Sequence, residues 1–124
     1  MKKILVVDDE RDIELLYRQH FRKAINEQKL SFKFAFSGAE ALDMMGSQCD
    51  PELIMLTDIN MPGMSGLELL QKVKEQCPQA MVYVISAYDT ADYHITAKQL
   101  GAEEFIPKPI DFLLLKDKLV NTNI

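Results

Sequence analysis

The sequence has no apolar run approaching the roughly 20 residues that a membrane-crossing helix needs. Behind Lys2 and Lys3 only Ile4 to Val7 is apolar before three acids follow, Asp8, Asp9 and Glu10. That core is too short for a signal peptide, so a chain with no leader and no membrane anchor is expected. Cysteine is scarce: Cys49 and Cys77 lack metal-type spacing and companion histidines, which argues against a thiolate metal centre. Reduced structural thiols in a cytoplasmic protein are the expectation. Basic residues do not predominate either. A net charge of -5 argues against direct binding to nucleic acid, whose phosphates require a basic surface. No internal repeat, low-complexity tract or linker is visible. At 124 residues the sequence reads as one domain spanning 1–124, large enough for a core without staples.

The sequence does contain a short apolar run, Leu53 to Thr57, that leads straight into Asp58 and then, a few residues on, Pro62-Gly63. Such a run, bounded by turn residues, reads as a strand buried on both faces. Pro62 and Gly63 stop it, which leaves Asp58 at its carboxyl end, where open α/β sheets bind ligands. Ile4 to Val7 runs likewise into Asp8 and Asp9, Met81 to Ile85 into Ser86-Ala87, and Glu103 to Ile106 into Pro107-Lys108-Pro109. Phe32, Phe34 and Phe36 alternate with Ser31, Lys33 and Ala35, which predicts a less buried strand near a sheet edge.

Helical periodicity fills the gaps. Ile13, Leu16, Tyr17, His20, Phe21 and Ala24 form one amphipathic stripe. Ser37 and Glu40 have capping-box spacing ahead of Ala41, Leu42 and Met45. Leu67, Leu70, Val73 or Lys74, and Cys77 mark a third helix ended by Pro78, and a fourth covers roughly 90–100 and closes on Gly101. Asp111 is a candidate N-cap for a fifth, with Phe112, Leu115 and Leu119 inward. Strands alternating with helices predict a flavodoxin-like (βα)5 three-layer α/β sandwich with a parallel sheet of order 2-1-3-4-5.

In that fold the strand ends bearing Asp8, Asp9, Asp58, Ser86 and Lys108 lie on one edge of the sheet. Each feature alone has an ordinary structural reading: acids cap a helix N-terminus, Ser-Ala makes a turn, Lys-Pro makes a loop. Their occurrence in order, each at a strand end on one edge, argues for a site. Converging carboxylates repel unless a cation intervenes, and oxygen-only donors suit Mg²⁺. A lysine and a hydroxyl opposite are what a phosphoryl group requires.

The set Val6-Val7-Asp8-Asp9-Glu10, Thr57-Asp58-Ile59-Asn60-Met61-Pro62-Gly63-Met64-Ser65-Gly66, Ser86-Ala87 and Lys108-Pro109 resembles the receiver domain of two-component response regulators, the CheY-like family. The resemblance spans the whole chain. It implies that Asp58 accepts a phosphoryl group from a histidine kinase or a histidine phosphotransfer protein. It implies Mg²⁺ as cofactor, held by Asp9, Asp58 and the backbone carbonyl of Asn60, with Asp8 reaching it through water. Lys108 and Ser86 would each take a phosphoryl oxygen, and the Lys108-Pro109 bond would be cis. The domain would take part in its own phosphorylation and dephosphorylation but turn over no separate substrate.

The resemblance also gives Phe105 two open readings, a switch aromatic coupled to Ser86 or a plain core residue. Asn60 and Tyr88 would border the water path that sets phosphoryl lifetime, Tyr88 either covering the site or pointing outward. The output face would be the fourth helix, fifth strand and fifth helix, including Asp92, Tyr93, Lys98, Lys116 and Leu113-Leu114-Leu115, with Leu114 the best candidate for exposure. That face could serve an output domain, an effector protein or a phosphorylation-dependent homodimer. A complete single-domain regulator and a receiver cut from a longer protein both fit. Two other classes fit less well. A haloacid-dehalogenase-type phosphatase needs a second aspartate where Asn60 stands. A flavodoxin-like cofactor binder needs a Gly, Ser and Thr-rich loop where this chain has Asp-Asp-Glu-Arg-Asp.

Overall fold

Parallel strands β1 (Lys2–Val7), β2 (Leu30–Ala35), β3 (Leu53–Asp58), β4 (Met81–Ser86) and β5 (Glu104–Pro107) pair in the order β2-β1-β3-β4-β5. The computed structural model describes residues 1–87 and 91–121. Pairing is in register along the central strands, with Val6 opposite Leu56 and Leu56 opposite Tyr83. The expected strand order and layers are those observed.

The pleat explains why the central strands are apolar throughout. In β1, Ile4 and Val6 belong to one core with Tyr17, Phe21, Leu115 and Leu119, whereas Leu5 and Val7 belong to the other with Ala41, Leu69, Leu70 and Val73. Helices α1 (Ile13–His20), α2 (Arg22–Asn26) and α6 (Phe112–Asn121) cover the first face. The second face is covered by α3 (Gly38–Met45), α4 (Gly66–Gln76) and α5 (Ala91–Gln99). Each large apolar side chain fully buried this way contributes roughly 1.5–3 kcal/mol. Edge strand β2 keeps Lys33 exposed between buried Phe32 and Phe34, the alternation expected near an edge.

Local signals act as their chemistry dictates. The Ser37 hydroxyl accepts from the Glu40 N–H at 3.1 Å, and the Asp111 carboxylate accepts from the Leu114 N–H at 3.1 Å. Gly101 has φ +98°, the left-handed turn that ends α5.

Three expectations change. The first helical stripe is broken at Phe21, whose backbone leaves helical values (φ -108°, ψ 15°), so six helices stand among the described residues where five were expected. Phe21 is completely buried against Tyr17, Phe32 and Phe112, so the break coincides with an anchored ring. Leu16 and His20, within α1, sit at the surface, with His20 stacked on Phe112 at 4.0 Å. Leu113, at 82% exposure, is more open than Leu114 at 53%. Finally, Cys49 and Cys77 are not free thiols but form a disulfide, with Cα atoms 5.7 Å apart. Adjacent strands β3 and β4 begin on the same edge of the sheet, so the segments leading into them meet although they are distant in sequence.

Candidate functional site

The acidic edge is assembled by the ends of the strands. Asp58 is the last residue of β3 and Ser86 the last of β4, while Asp8 follows β1 and Lys108 follows β5. Backbone pairing continues past the strands and fixes these ends relative to one another. The Asp8 N–H donates to the Ala35 carbonyl at 3.1 Å, the Ile59 N–H to Ile85 at 3.1 Å, and the Lys108 N–H to Ser86 at 2.9 Å. The Lys108-Pro109 bond is cis.

The Lys108 ammonium lies 3.2 Å from Asp58 Oδ2 and 3.5 Å from Asp8 Oδ2. Asp8 and Asp58 are buried, and Asp9 is exposed beside them. Burial pushes the Asp8 carboxyl above its ordinary pKa. The Glu10 N–H, which donates to Asp8 Oδ1 at 3.0 Å, and Lys108 pull it back, and the Asp58 charge adds to the rise. Burial works against the Lys108 charge too, yet Asp8 and Asp58 outweigh it and hold the ammonium above its usual value. The Tyr17 hydroxyl is also raised, mainly by burial, with the charges of Asp8 and Asp58 adding to it.

One ammonium does not balance three carboxylates. Oxygens of Asp8, Asp9 and Asp58 all lie within 4.8 Å of one another, the only such acid cluster among the described residues. The donors are hard and anionic, and Lys108 leaves negative charge in excess. This donor set fits Mg²⁺, which takes a few carboxylates and completes its octahedron with water and substrate oxygens.

Two contributors to this geometry, Gly66 and Thr57, bound the motif around Asp58 but were given no role in the sequence reading. Gly66 opens α4, and its N–H donates to the Ile59 carbonyl at 2.8 Å. A Cβ there would lie 2.0 Å from the Asp58 carbonyl oxygen and 2.8 Å from Ile59 Cα, so only glycine lets α4 approach the end of β3. Thr57, completely buried, donates its hydroxyl to the same Asp58 carbonyl at 3.0 Å. Of the other expected residues, Ser86 is fully buried, Asn60 is exposed just past β3, and Phe105 is half-buried with its ring 3.9 Å from His94. Tyr88 lies outside the described residues.

The family model described as response regulator receiver domain matches residues 4–120. The chain belongs to that family. Aspartyl phosphorylation and Mg²⁺ are general features of these receiver domains. The chain is 34% identical over 116 residues to the response regulator protein PilR of Pseudomonas aeruginosa, covering 94% of this chain and 25% of that protein. It is 35% identical over 108 residues to the DNA-binding transcriptional regulator NtrC of Escherichia coli, covering 87% and 22%. The chain thus spans about a quarter of the length of these curated relatives.

Solved receiver domains superpose closely. One from Clostridium thermocellum gives a TM-score of 0.84 at 27% identity, covering 98% of this chain and 93% of that one. The response regulator TrrA of Thermotoga maritima, solved in complex with Mg²⁺-BeF, gives 0.76 at 31% identity and covers 96% of each chain. Among the described residues of this receiver domain no helix is long and apolar enough to cross a membrane.

Proposed function

We propose that residues 1–124 form one receiver unit in which Asp58 is the phosphoacceptor. The observation that carries this reading is the Lys108 ammonium between Asp58 and Asp8, 3.2 and 3.5 Å from their Oδ2 atoms, inside a cluster of three carboxylates. An Asp58 oxygen attacks the phosphorus of a phosphohistidine, the P–N bond breaks, and an acyl phosphate forms. Phosphoryl transfer depends on positioning and charge neutralisation more than on covalent help from the protein. Lys108 can turn from the carboxylates to a phosphoryl oxygen with little movement, and the Ser86 hydroxyl takes another. Asp9, Asp58 and the Asn60 carbonyl would hold Mg²⁺, with Asp8 reaching it through water. The bound ion supplies the positive charge that lets a carboxylate meet an anionic phosphoryl group.

The protein is a signalling domain that takes part in its own phosphorylation and dephosphorylation and turns over no separate substrate. Its donor is a sensor histidine kinase or a histidine phosphotransfer protein, and it acts in the cytoplasm. Phosphorylation shifts Ser86 and Phe105, and Asn60 and Tyr88 set the lifetime of the phosphoryl group. The output face is α5–β5–α6, the fourth helix, fifth strand and fifth helix of the sequence reading. Exposed Leu113 and Leu114 there serve an output domain, an effector or a second copy rather than nucleic acid.

Incubation with acetyl phosphate and Mg²⁺ tests the reading. Intact mass should increase by one phosphoryl group, labile to base, and Asp58→Asn should abolish the gain. Labelling of that variant at the wild-type rate would overturn it.

A further inference from the structure

The Cys49–Cys77 disulfide lies at the amino edge of the sheet, opposite the acidic site. Its two sulfurs differ in surroundings. Cys49 is exposed in the irregular segment between α3 and β3, whereas Cys77 caps the end of α4 and is only 3% exposed. A cleft of about 280 Å³ opens beside the bond, lined by Met45, Cys49, Asp50, Leu53, Cys77 and Ala80. The chain between the two cysteines comprises β3, Asp58 and α4, so the bond ties together both ends of the unit that carries the acidic residue. The segment bearing Cys49 has independent anchors. Gln76 Nε2 donates to the Gly46 carbonyl at 2.5 Å, and Lys3 Nζ meets Asp50 Oδ2 at 2.8 Å. With β3 paired to β1 and β4 and α4 packed into the core through Leu69, Leu70 and Val73, the cysteines stay near one another when the bond is open.

We propose that Cys49–Cys77 is a reversible thiol–disulfide exchange site for small-molecule thiols, with Cys49 the sulfur attacked. A small thiolate enters the cleft and attacks Cys49 Sγ, the protein S–S bond breaks, and Cys77 leaves as thiolate and takes a proton. A second small thiolate attacks the small molecule's sulfur in that mixed disulfide, releasing Cys49 as a thiolate that takes a proton, together with a small-molecule disulfide. Two electrons pass from two small thiols to the protein bond, and an oxidised small-molecule disulfide drives the reverse. Access selects the sulfur, because exchange requires in-line approach of a thiolate and Cys77 is covered. Closure links the β3–α4 unit into a ring; opening leaves it held by strand pairing, core packing and the polar anchors. The cytoplasmic location proposed above would keep the pair largely open until oxidant rises. The exchange chemistry itself requires no phosphodonor, so it stands or fails apart from the reading of Asp58.

The test equilibrates the folded protein across a series of reduced-to-oxidised glutathione ratios, quenches with acid, alkylates and measures intact mass. The expected result is a reversible passage between a form taking two alkyl groups and one taking none. A pair locked in one state across the whole series overturns the proposal. With oxidised glutathione, Cys77→Ala should form a mixed disulfide at Cys49 at least about tenfold faster than Cys49→Ala forms one at Cys77. Equal rates in folded variants overturn the assignment of Cys49. If circular dichroism shows that Cys77→Ala does not fold, the mixed disulfide trapped during reduction of the wild type is mapped by peptide mass. Glutathione on Cys49 supports the assignment, and glutathione on Cys77 overturns it.

Discussion

The two edges of the sheet treat charge in opposite ways. At the amino edge Lys3 and Asp50 approach to 2.8 Å, but their side chains are 56% and 35% exposed. At the carboxyl edge Lys108 sits farther from its partners, at 3.2 and 3.5 Å, yet Asp8 is only 6% exposed at its side chain and Asp58 10%. Distance alone would rank the amino-edge pair as the stronger. Solvent reverses that order, because exposed pairs are screened and contribute little, whereas buried charges act strongly on each other's protonation and on any ligand that enters. The carboxyl edge thus stores unbalanced negative charge that a cation can use.

The largest expected effect is at the carboxyl edge and involves no charge. Gly66→Ala forces a Cβ to within 2.0 Å of the Asp58 carbonyl, so α4 must shift or β3 must bend. Overpacking against backbone of this kind should cost about 3 kcal/mol, measured as a lower urea midpoint. A midpoint equal to that of the wild type would mean that α4 is not held where it stands. A smaller effect of opposite sign is expected for Asp8→Asn in metal-free buffer. Asparagine keeps the acceptor for the Glu10 N–H and removes one member of the crowded acid cluster. Stability should rise by about 1 kcal/mol, within the ordinary range of single substitutions. A loss instead would show that Lys108 pairs with Asp8 more productively than the excess of acid implies. Lys3→Ala should be smallest, leaving the urea midpoint unchanged within error, since its pair with Asp50 is solvated. A clear fall would erase the contrast between the edges.

How much of this was legible in the sequence depends on what each feature rests upon. The strand before Asp58, the capping box at Ser37 and the turn at Gly101 are local, so composition and spacing reveal them. Even the N-terminus of α4 had a readable sign. Ser65 and Glu68 repeat the Ser-x-x-Glu spacing, and the Ser65 hydroxyl accepts from the Glu68 N–H at 3.2 Å. Leu69, fully buried in α4, falls outside the stripe read from Leu67 and Leu70, because the buried face includes adjacent positions. The close approach at Gly66 depends on how α4 meets β3, and no periodicity encodes a missing Cβ. The expected strand order already put β3 beside β4, but the pairing of Cys49 with Cys77 rests on the paths of the segments leading into them, which a spacing of 28 residues does not encode. The acidic site was the readable case because parallel topology sends every strand's carboxyl end to the same edge.

The most direct test of the account is to map the phosphoryl group to its residue. The protein is phosphorylated with acetyl phosphate and Mg²⁺, reduced with borohydride, which converts an acyl phosphate to an alcohol, and digested for peptide mass. The account predicts a single modified residue, homoserine in place of Asp58. Modification at Asp8 or Asp9, or at none of the three, would contradict it.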